Sequence, residues 1–239
     1  KVAEFQIFLL VFVRMIGILA VAPIFGHRTV ISQTKAGFAL VLAIALYPIM
    51  PVTLALTPDL MPYFFVAVKE LVLGMLFGFV SRLTFVAVQF AGEVIGIDVG
   101  FGVVNIIDPM SGGQISVIGT FKNLIALVTF LLIDGHHVIL HAMVKSFEMV
   151  PLGGIQLTEM LARGLISMTA GVFTMAVQMA APIITALFLT SLALGIMART
   201  VPQMNVFVVG FPLKIGIGMG MLAVSLPLFQ TVLIKFFGQ

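Results

Sequence analysis

Between residues 164 and 198 the sequence runs without one charged side chain. That is longer than the roughly 20 apolar residues that carry a helix across a bilayer. Comparable apolar segments recur at residues 4–24, 36–56, 61–106, 117–150, 159–197 and 206–237. They are the candidate spanning helices, and composition closes off the soluble alternative. Only 9% of the residues are charged and 61% are hydrophobic, against about 25% charged in a soluble domain. No polar linker divides the chain, so residues 1–239 read as a single all-α, membrane-associated domain.

Two of these segments exceed one crossing. Segment 159–197 is either one very long helix or a tight hairpin kinked at Ala181-Pro182. Segment 61–106 carries Lys69, Glu70, Arg82, Glu93 and Asp98. A charge at mid-bilayer costs several kcal/mol, so these side chains are expected to face protein or water. Buried charge pairing is the first reading of the five. Helical neighbours lie three or four apart, so some partners must come from elsewhere in the fold or from other chains. The sharper alternative is a proton relay through Glu93, Asp98 and Asp134.

Glycine spacing points to close helix packing. Gly74 and Gly78 are four apart, as are Gly92, Gly96 and Gly100, and again Gly216 and Gly220. That spacing places glycines on one helix face, where backbones can approach.

Other classes are excluded or weakened. There are no cysteines, which removes disulfides and thiolate metal sites. The net charge of +3 comes from scattered side chains, so no nucleic-acid-binding patch forms. Ala20-Val21-Ala22 resembles a signal-peptide cleavage site, but Glu4, Arg14 and Pro23 argue for a retained helix over 4–24. A start at Lys1 rather than at methionine leads to the expectation that a few residues precede it. The basic connections 25–35 and 199–214 are placed on the cytoplasmic side by the positive-inside rule. Six simple crossings would then put both termini outside.

Three polar constellations interrupt the apolar sequence. His137 and His141 sit four apart, a spacing that can offer two imidazoles to a metal, with Glu148 as a third ligand. No HExxH pattern accompanies them, so packing and hydrogen bonding are the default and neither metal nor cofactor is expected. Second, Ile106-Ile107-Asp108-Pro109-Met110-Ser111-Gly112-Gly113-Gln114-Ile115 contains strong turn chemistry between apolar runs. It is either a surface hairpin loop or a re-entrant, pore-lining loop, since irregular backbone at membrane depth survives only where protein or water satisfies it. Third, Pro202-Gln203-Met204-Asn205 is followed by Gly210-Phe211-Pro212-Leu213-Lys214. Two prolines and a glycine are expected to break any continuous helix there, with Gln203 and Asn205 satisfying the freed backbone. Nothing resembles a phosphate loop, nucleophile elbow or catalytic triad, so no enzyme is expected.

Around these places the sequence resembles the FliR family of flagellar type III export-gate proteins. The matching stretches run from Ala91-Gly92-Glu93 to Asp108-Pro109, then Phe130-Leu131-Leu132-Ile133-Asp134-Gly135-His136-His137, then Ser146-Phe147 with Pro151-Leu152-Gly153. The most specific are Ala181-Pro182, Leu192-Ala193-Leu194-Gly195, Arg199 and Pro202-Gln203-Met204-Asn205-Val206-Phe207. The sequel Gly210-Phe211-Pro212-Leu213-Lys214-Ile215 looks flagellar rather than injectisome-like. Essentially the whole chain takes part.

The resemblance implies long, kinked helical hairpins packed with FliP and FliQ into a helical hetero-oligomeric assembly. That assembly forms the entrance of the secretion channel in the inner membrane, at the core of the flagellar basal body. FlhB and FlhA are the implied neighbours, unfolded export substrates the cargo, and lipid touches part of the surface. A loop from Asp108 to about Thr120, turning at Pro109, Met110, Ser111, Gly112 and Gly113, would contribute a plug. The expected mechanism is gating without chemistry, with Ile106, Ile107, Met110 and Ile115 occluding the resting channel. Two rivals remain: a proton-coupled secondary transporter, which predicts an internal repeat that the sequence does not show, and a purely structural scaffold.

Overall fold

Among the described residues the apolar runs fold as helices, and the breaks fall where proline, glycine or a capping side chain stops the i→i−4 ladder. The computed structural model describes residues 2–27, 29–49, 60–101, 116–155 and 158–237. Among these, the regular elements in chain order are α1 (Val2–Val21), α2 (Ser32–Leu46), a 3₁₀ turn (Tyr47–Ile49), α3 (Leu60–Val99), α4 (Val117–Leu132), α5 (Gly135–Met149), α6 (Glu159–Thr200) and α7 (Val206–Phe237). The architecture is all-α.

Helix α1 begins with Glu4 in its first turn, where a carboxylate complements the partial positive charge of the N-terminus. It stops just ahead of Ala22-Pro23, as the residue before a proline disfavours helical backbone. Helix α3 is 40 residues long, about 60 Å at 1.5 Å per residue. It ends in a Schellman motif: Gly100 takes a φ of +107°, its N–H donates to the Ile97 carbonyl at 3.1 Å, and the Phe101 N–H donates to the Gly96 carbonyl at 3.0 Å. Helix α4 is started by Ser116, whose Oγ accepts from the Gly119 N–H at 3.0 Å. The expected loop from Asp108 to about Thr120 is therefore shortened, because its last four residues are already helical.

The long candidates resolve differently from one another. Segment 117–150 breaks into α4 and α5 at Asp134, which adopts left-handed backbone with a φ of 55°. Segment 159–197, by contrast, is one helix of 42 residues that runs through Pro182. Segment 206–237 is likewise one helix, with Pro212 and Pro227 inside it. The expected break over 202–214 is thus confined to the turn at Val201–Asn205. Gly210 and Pro212 lie within α7, because an apolar helix absorbs the missing proline N–H as a local distortion.

Helices α1, α3, α6 and α7 are long and apolar enough to cross a membrane, and α4 with α5 qualifies only as a broken pair. Helix α2, at 15 residues, spans about 22 Å and falls short of the roughly 30 Å hydrocarbon layer. Residues 50–56 of the candidate 36–56 lie outside the described residues. Among the described residues, four helices qualify by length and composition, or five with the broken pair taken as one span.

The chain divides into two compact units, with the boundaries inside α3 and α6 and at the break before α5. The first comprises residues 1–83 and 134–168. Its core holds Leu10, Met15, Leu19, Leu73, Met143 and Phe147, and α1 lies directly on the first half of α3 through glycines. A Cβ on Gly74 would sit 2.3 Å from the Arg14 carbonyl oxygen, and one on Gly17 would sit 2.6 Å from that of Leu71. The second unit comprises residues 84–133 and 169–239. Its core holds Val88, Ile95, Phe130, Met179, Ile183 and Leu187, with Phe85 edge-on to Phe130 at 5.6 Å.

Candidate functional site

The first unit contains a buried charge clasp. Arg14 in α1 and Glu70 in α3 are both fully buried, and the guanidinium Nε donates to Glu70 Oε2. Arg14 Nη1 also donates to the carbonyls of Ser146 at 3.2 Å and Val150 at 2.9 Å, at the C-terminal end of α5. Phe147 lies 4.2 Å beneath the guanidinium. The other oxygen of Glu70 accepts from the Gly153 N–H at 2.8 Å. One ion pair thus ties α1, α3, the end of α5 and the following turn. Carbonyls at a helix C-terminus carry partial negative charge, so one carboxylate and two carbonyl dipoles surround one cation.

Of the expected set of buried charges, Glu70 therefore finds its partner elsewhere in the fold. Lys69 and Arg82 point outward and are exposed, whereas Glu93 and Asp98 are half-buried. Glu93 accepts from Gln89 Nε2 at 3.1 Å. Among the described residues, no two members of the set pair with each other, because consecutive positions on α3 point in different directions. Arg14 was visible in the sequence as a charge within an apolar run, and that anomaly was the only available signal for the clasp.

In the second unit, α3 and α4 meet at glycines. A Cβ on Gly92 would lie 2.3 Å from the Gly119 Cα, and one on Gly96 would lie 2.8 Å from Ser116 Oγ. The Ser116 hydroxyl donates to the Gly92 carbonyl at 3.2 Å, so the α4 cap is also a tether to α3. Gly100 has the separate task of ending α3, and the Phe211 ring lies 2.7 Å from where its Cβ would be. A Cβ on Gly216 or Gly220 would meet nothing within 4 Å, whereas one on Gly218 would meet Val99 at 2.7 Å. The most tightly packed glycine of α7 within this chain is Gly218.

These contacts anchor both flanks of the segment expected to form the plug. Ile106, Ile107, Asp108, Pro109, Met110, Ser111, Gly112, Gly113, Gln114 and Ile115 themselves lie outside the described residues.

The same unit buries a cation that the sequence reading missed. Lys122 in α4 is 2% exposed. Its ammonium donates to the Met179 carbonyl of α6 at 3.5 Å and sits 4.8 Å above the Phe229 ring. The carbonyl lies beside the stretch where Pro182 withholds a backbone N–H from α6. No carboxylate pairs with Lys122 among the described residues.

At the α6–α7 turn, Asn205 Oδ1 accepts from the N–H groups of Phe207 at 3.1 Å and Val208 at 3.4 Å, capping α7 as expected. Pro202 and Gln203 are exposed in the turn. Ser191, Leu194, Gly195, Phe207, Phe211 and Lys214 line a mostly apolar cleft of about 270 Å³. Pro212 faces away and is exposed.

The break at Asp134 brings the histidine constellation together in a different combination. Asp134, His136 and His137 converge, while His141 and Glu148 stay outside the group. Gly135 is buried as the first residue of α5.

Much of the helical surface has no partner within the chain. In the most apolar windows of α6 and α7 only 33% and 28% of residues are buried. Phe173, Val177, Phe188, Leu192 and Ile196 are all more than half exposed on α6. A helix that is apolar all round requires burial against protein or lipid, so this chain is completed by one or both.

The family described as bacterial export proteins, family 1, matches residues 5–239. The chain is 37% identical to the flagellar biosynthetic protein FliR of Bacillus subtilis (strain 168), over 98% of this chain and 91% of the relative. It is 31% identical to FliR of Escherichia coli (strain K12), over 90% and 82% of the two chains. Identity to FliR of Aquifex aeolicus (strain VF5) is 28%, over 98% and 91%.

Proposed function

Because the chain belongs to family 1 of the bacterial export proteins, we propose that it is a membrane component of the flagellar protein-export gate. In this reading it joins FliP and FliQ at the entrance of the secretion channel, in the bacterial inner membrane at the flagellar basal body. It contacts FlhB and FlhA, passes unfolded flagellar substrates, and performs no chemistry of its own. The observation that carries the reading is the family match over nearly the whole length, with relatives named as flagellar biosynthetic proteins. The uncovered apolar faces of α6 and α7 are consistent with it, since they call for neighbouring chains, lipid or both.

The plug is assigned to residues 106–115. The support is mechanical. The Schellman end of α3 and the Ser116 cap tethered to Gly92 hold both flanks of the segment. Apolar Ile106, Ile107, Met110 and Ile115 would exclude ions at rest, and methionine adapts to varied passing sequences.

Deleting residues 110–114 in cells that assemble the complex should raise membrane permeability to ions or small molecules. Unchanged permeability in a correctly assembled deletion would defeat the plug. Cysteine crosslinking from Ser111 or Gly113 to a stalled substrate separates a gate from a scaffold. Purification in mild detergent should yield the chain with its partners, and a lone, transport-active chain would favour the transporter instead.

A further inference from the structure

The group at the start of α5 lies outside the gating elements. We propose that Asp134, His136 and His137 form a binding site for one divalent transition-metal ion, best matched by Zn²⁺. One donor atom from each residue lies within 4.8 Å of the other two.

A cluster that existed only for hydrogen bonding would satisfy its own polar atoms. This one does not. His137 Nδ1 stands 3.6 Å from Asp134 Oδ1, too long for a hydrogen bond. His136 Nδ1 is buried with no hydrogen-bond partner, which is unfavourable when nothing replaces the lost water. The backbone adds a second oddity. Asp134 occupies the N-cap position, where aspartate ordinarily binds the first helical N–H groups. Its left-handed φ of 55° prevents this, and its side chain makes no capping bond. The conformation is uncommon for a residue with a Cβ, and it leaves the carboxylate free beside the two imidazoles, whose rings are 4.3 Å apart.

The donor set selects the ion. Two nitrogens and one oxygen suit Zn²⁺ and its neighbours, whereas Mg²⁺ and Ca²⁺ prefer all-oxygen shells. Zn²⁺ binds at about 2.0–2.2 Å from such ligands, so the three donors must close towards roughly 3.3 Å from one another. The side chains of His137 and Asp134 are 70% and 75% exposed, so rotation alone can supply that movement. The positive end of α5 opposes a cation with about half an elementary charge, which the full charge of the carboxylate outweighs. Three protein ligands leave a fourth position for water or for a ligand from a neighbouring chain. The ion would clamp the left-handed break to the first turn of α5.

The test uses the full-length, tag-free chain in mild detergent, titrated with Zn²⁺ by calorimetry and with Co²⁺ by visible absorption. One ion per chain is expected, with micromolar affinity and a low-coordinate Co²⁺ spectrum. Losing a coordinating nitrogen should exceed the 10- to 100-fold penalty for losing an outer partner, so His136→Ala and His137→Ala should each weaken binding by more than about 100-fold. His141→Ala should leave it unchanged. Far-UV circular dichroism confirms the fold of each variant, and exposed His137 tolerates truncation. Absence of stoichiometric Zn²⁺ binding overturns the site. So does undiminished binding in a folded His137→Ala variant, or an equal loss in His141→Ala.

Discussion

Replacing either member of the Arg14–Glu70 clasp should destabilise the fold far more than replacing both. With Glu70→Leu, the guanidinium keeps the carbonyls of Ser146 and Val150 and the face of Phe147 but loses its carboxylate, and the Gly153 N–H loses its acceptor. A buried charge stripped of its partner costs about 3–5 kcal/mol, and an orphaned N–H adds about 1–3 kcal/mol. Arg14→Met leaves Glu70 ionised and buried with one N–H donor, again about 3–5 kcal/mol. Ser146 O still accepts from the Val150 N–H in that variant, so its carbonyl is not orphaned. In the double variant no charge remains to be desolvated, and the cost should fall to about 1–3 kcal/mol, mostly the Gly153 N–H. The coupling energy is then at least about 4 kcal/mol. Denaturation by SDS in mixed micelles, followed by helical circular dichroism, measures all four corners of the cycle. Additive single costs, or single costs below about 1 kcal/mol, would refute the clasp as an interdependent unit.

Three other outcomes follow from the same geometry. Gly92→Val places a methyl-bearing carbon against the Gly119 backbone and should cost at least about 3 kcal/mol by forcing α3 from α4, whereas Gly216→Ala should stay within about 0.5 kcal/mol in the isolated chain; the same unfolding assay distinguishes them. Lys122→Met preserves length and removes an unpaired buried charge, so stability should be unchanged or raised by up to about 4 kcal/mol. Flagellar motility lost in that stable variant would assign the ammonium a role in export, and motility retained would leave it none. Asn205→Ala should cost about 1 kcal/mol through loss of the α7 cap, and slower amide exchange at Phe207 and Val208 in the variant would contradict this.

Much of the fold was legible without coordinates. Long apolar runs with almost no charge specify helices, and Asn205 near Pro202 marks a boundary whose capping bonds reach only a few residues along the chain. The boundaries at Gly100 and Ser116 are not legible in the sequence, where Gly100 reads as a packing glycine and Ser116 as part of a loop. Their caps appear only in the backbone geometry. Pro182 and Pro212 were ambiguous for the opposite reason. Whether a proline breaks a helix or rides within it depends on what packs around the distorted turn. At Pro182 that includes Lys122, whose ammonium donates to the Met179 carbonyl, one residue beyond the Gln178 carbonyl that Pro182 leaves without its helical donor.

The sequence by itself determined that the chain is helical, apolar on nearly every face and too poor in charge for water. Only the tertiary structure decided that Arg14 pairs with Glu70 across 56 positions, that Gly218 rather than Gly216 or Gly220 packs within the chain, and that Asp134 converges with His136 instead of leaving His137 to His141. A helix apolar all round has no polar stripe to show which face turns inward. The choice of face is made by contacts distant in sequence, and those exist only once the helices meet.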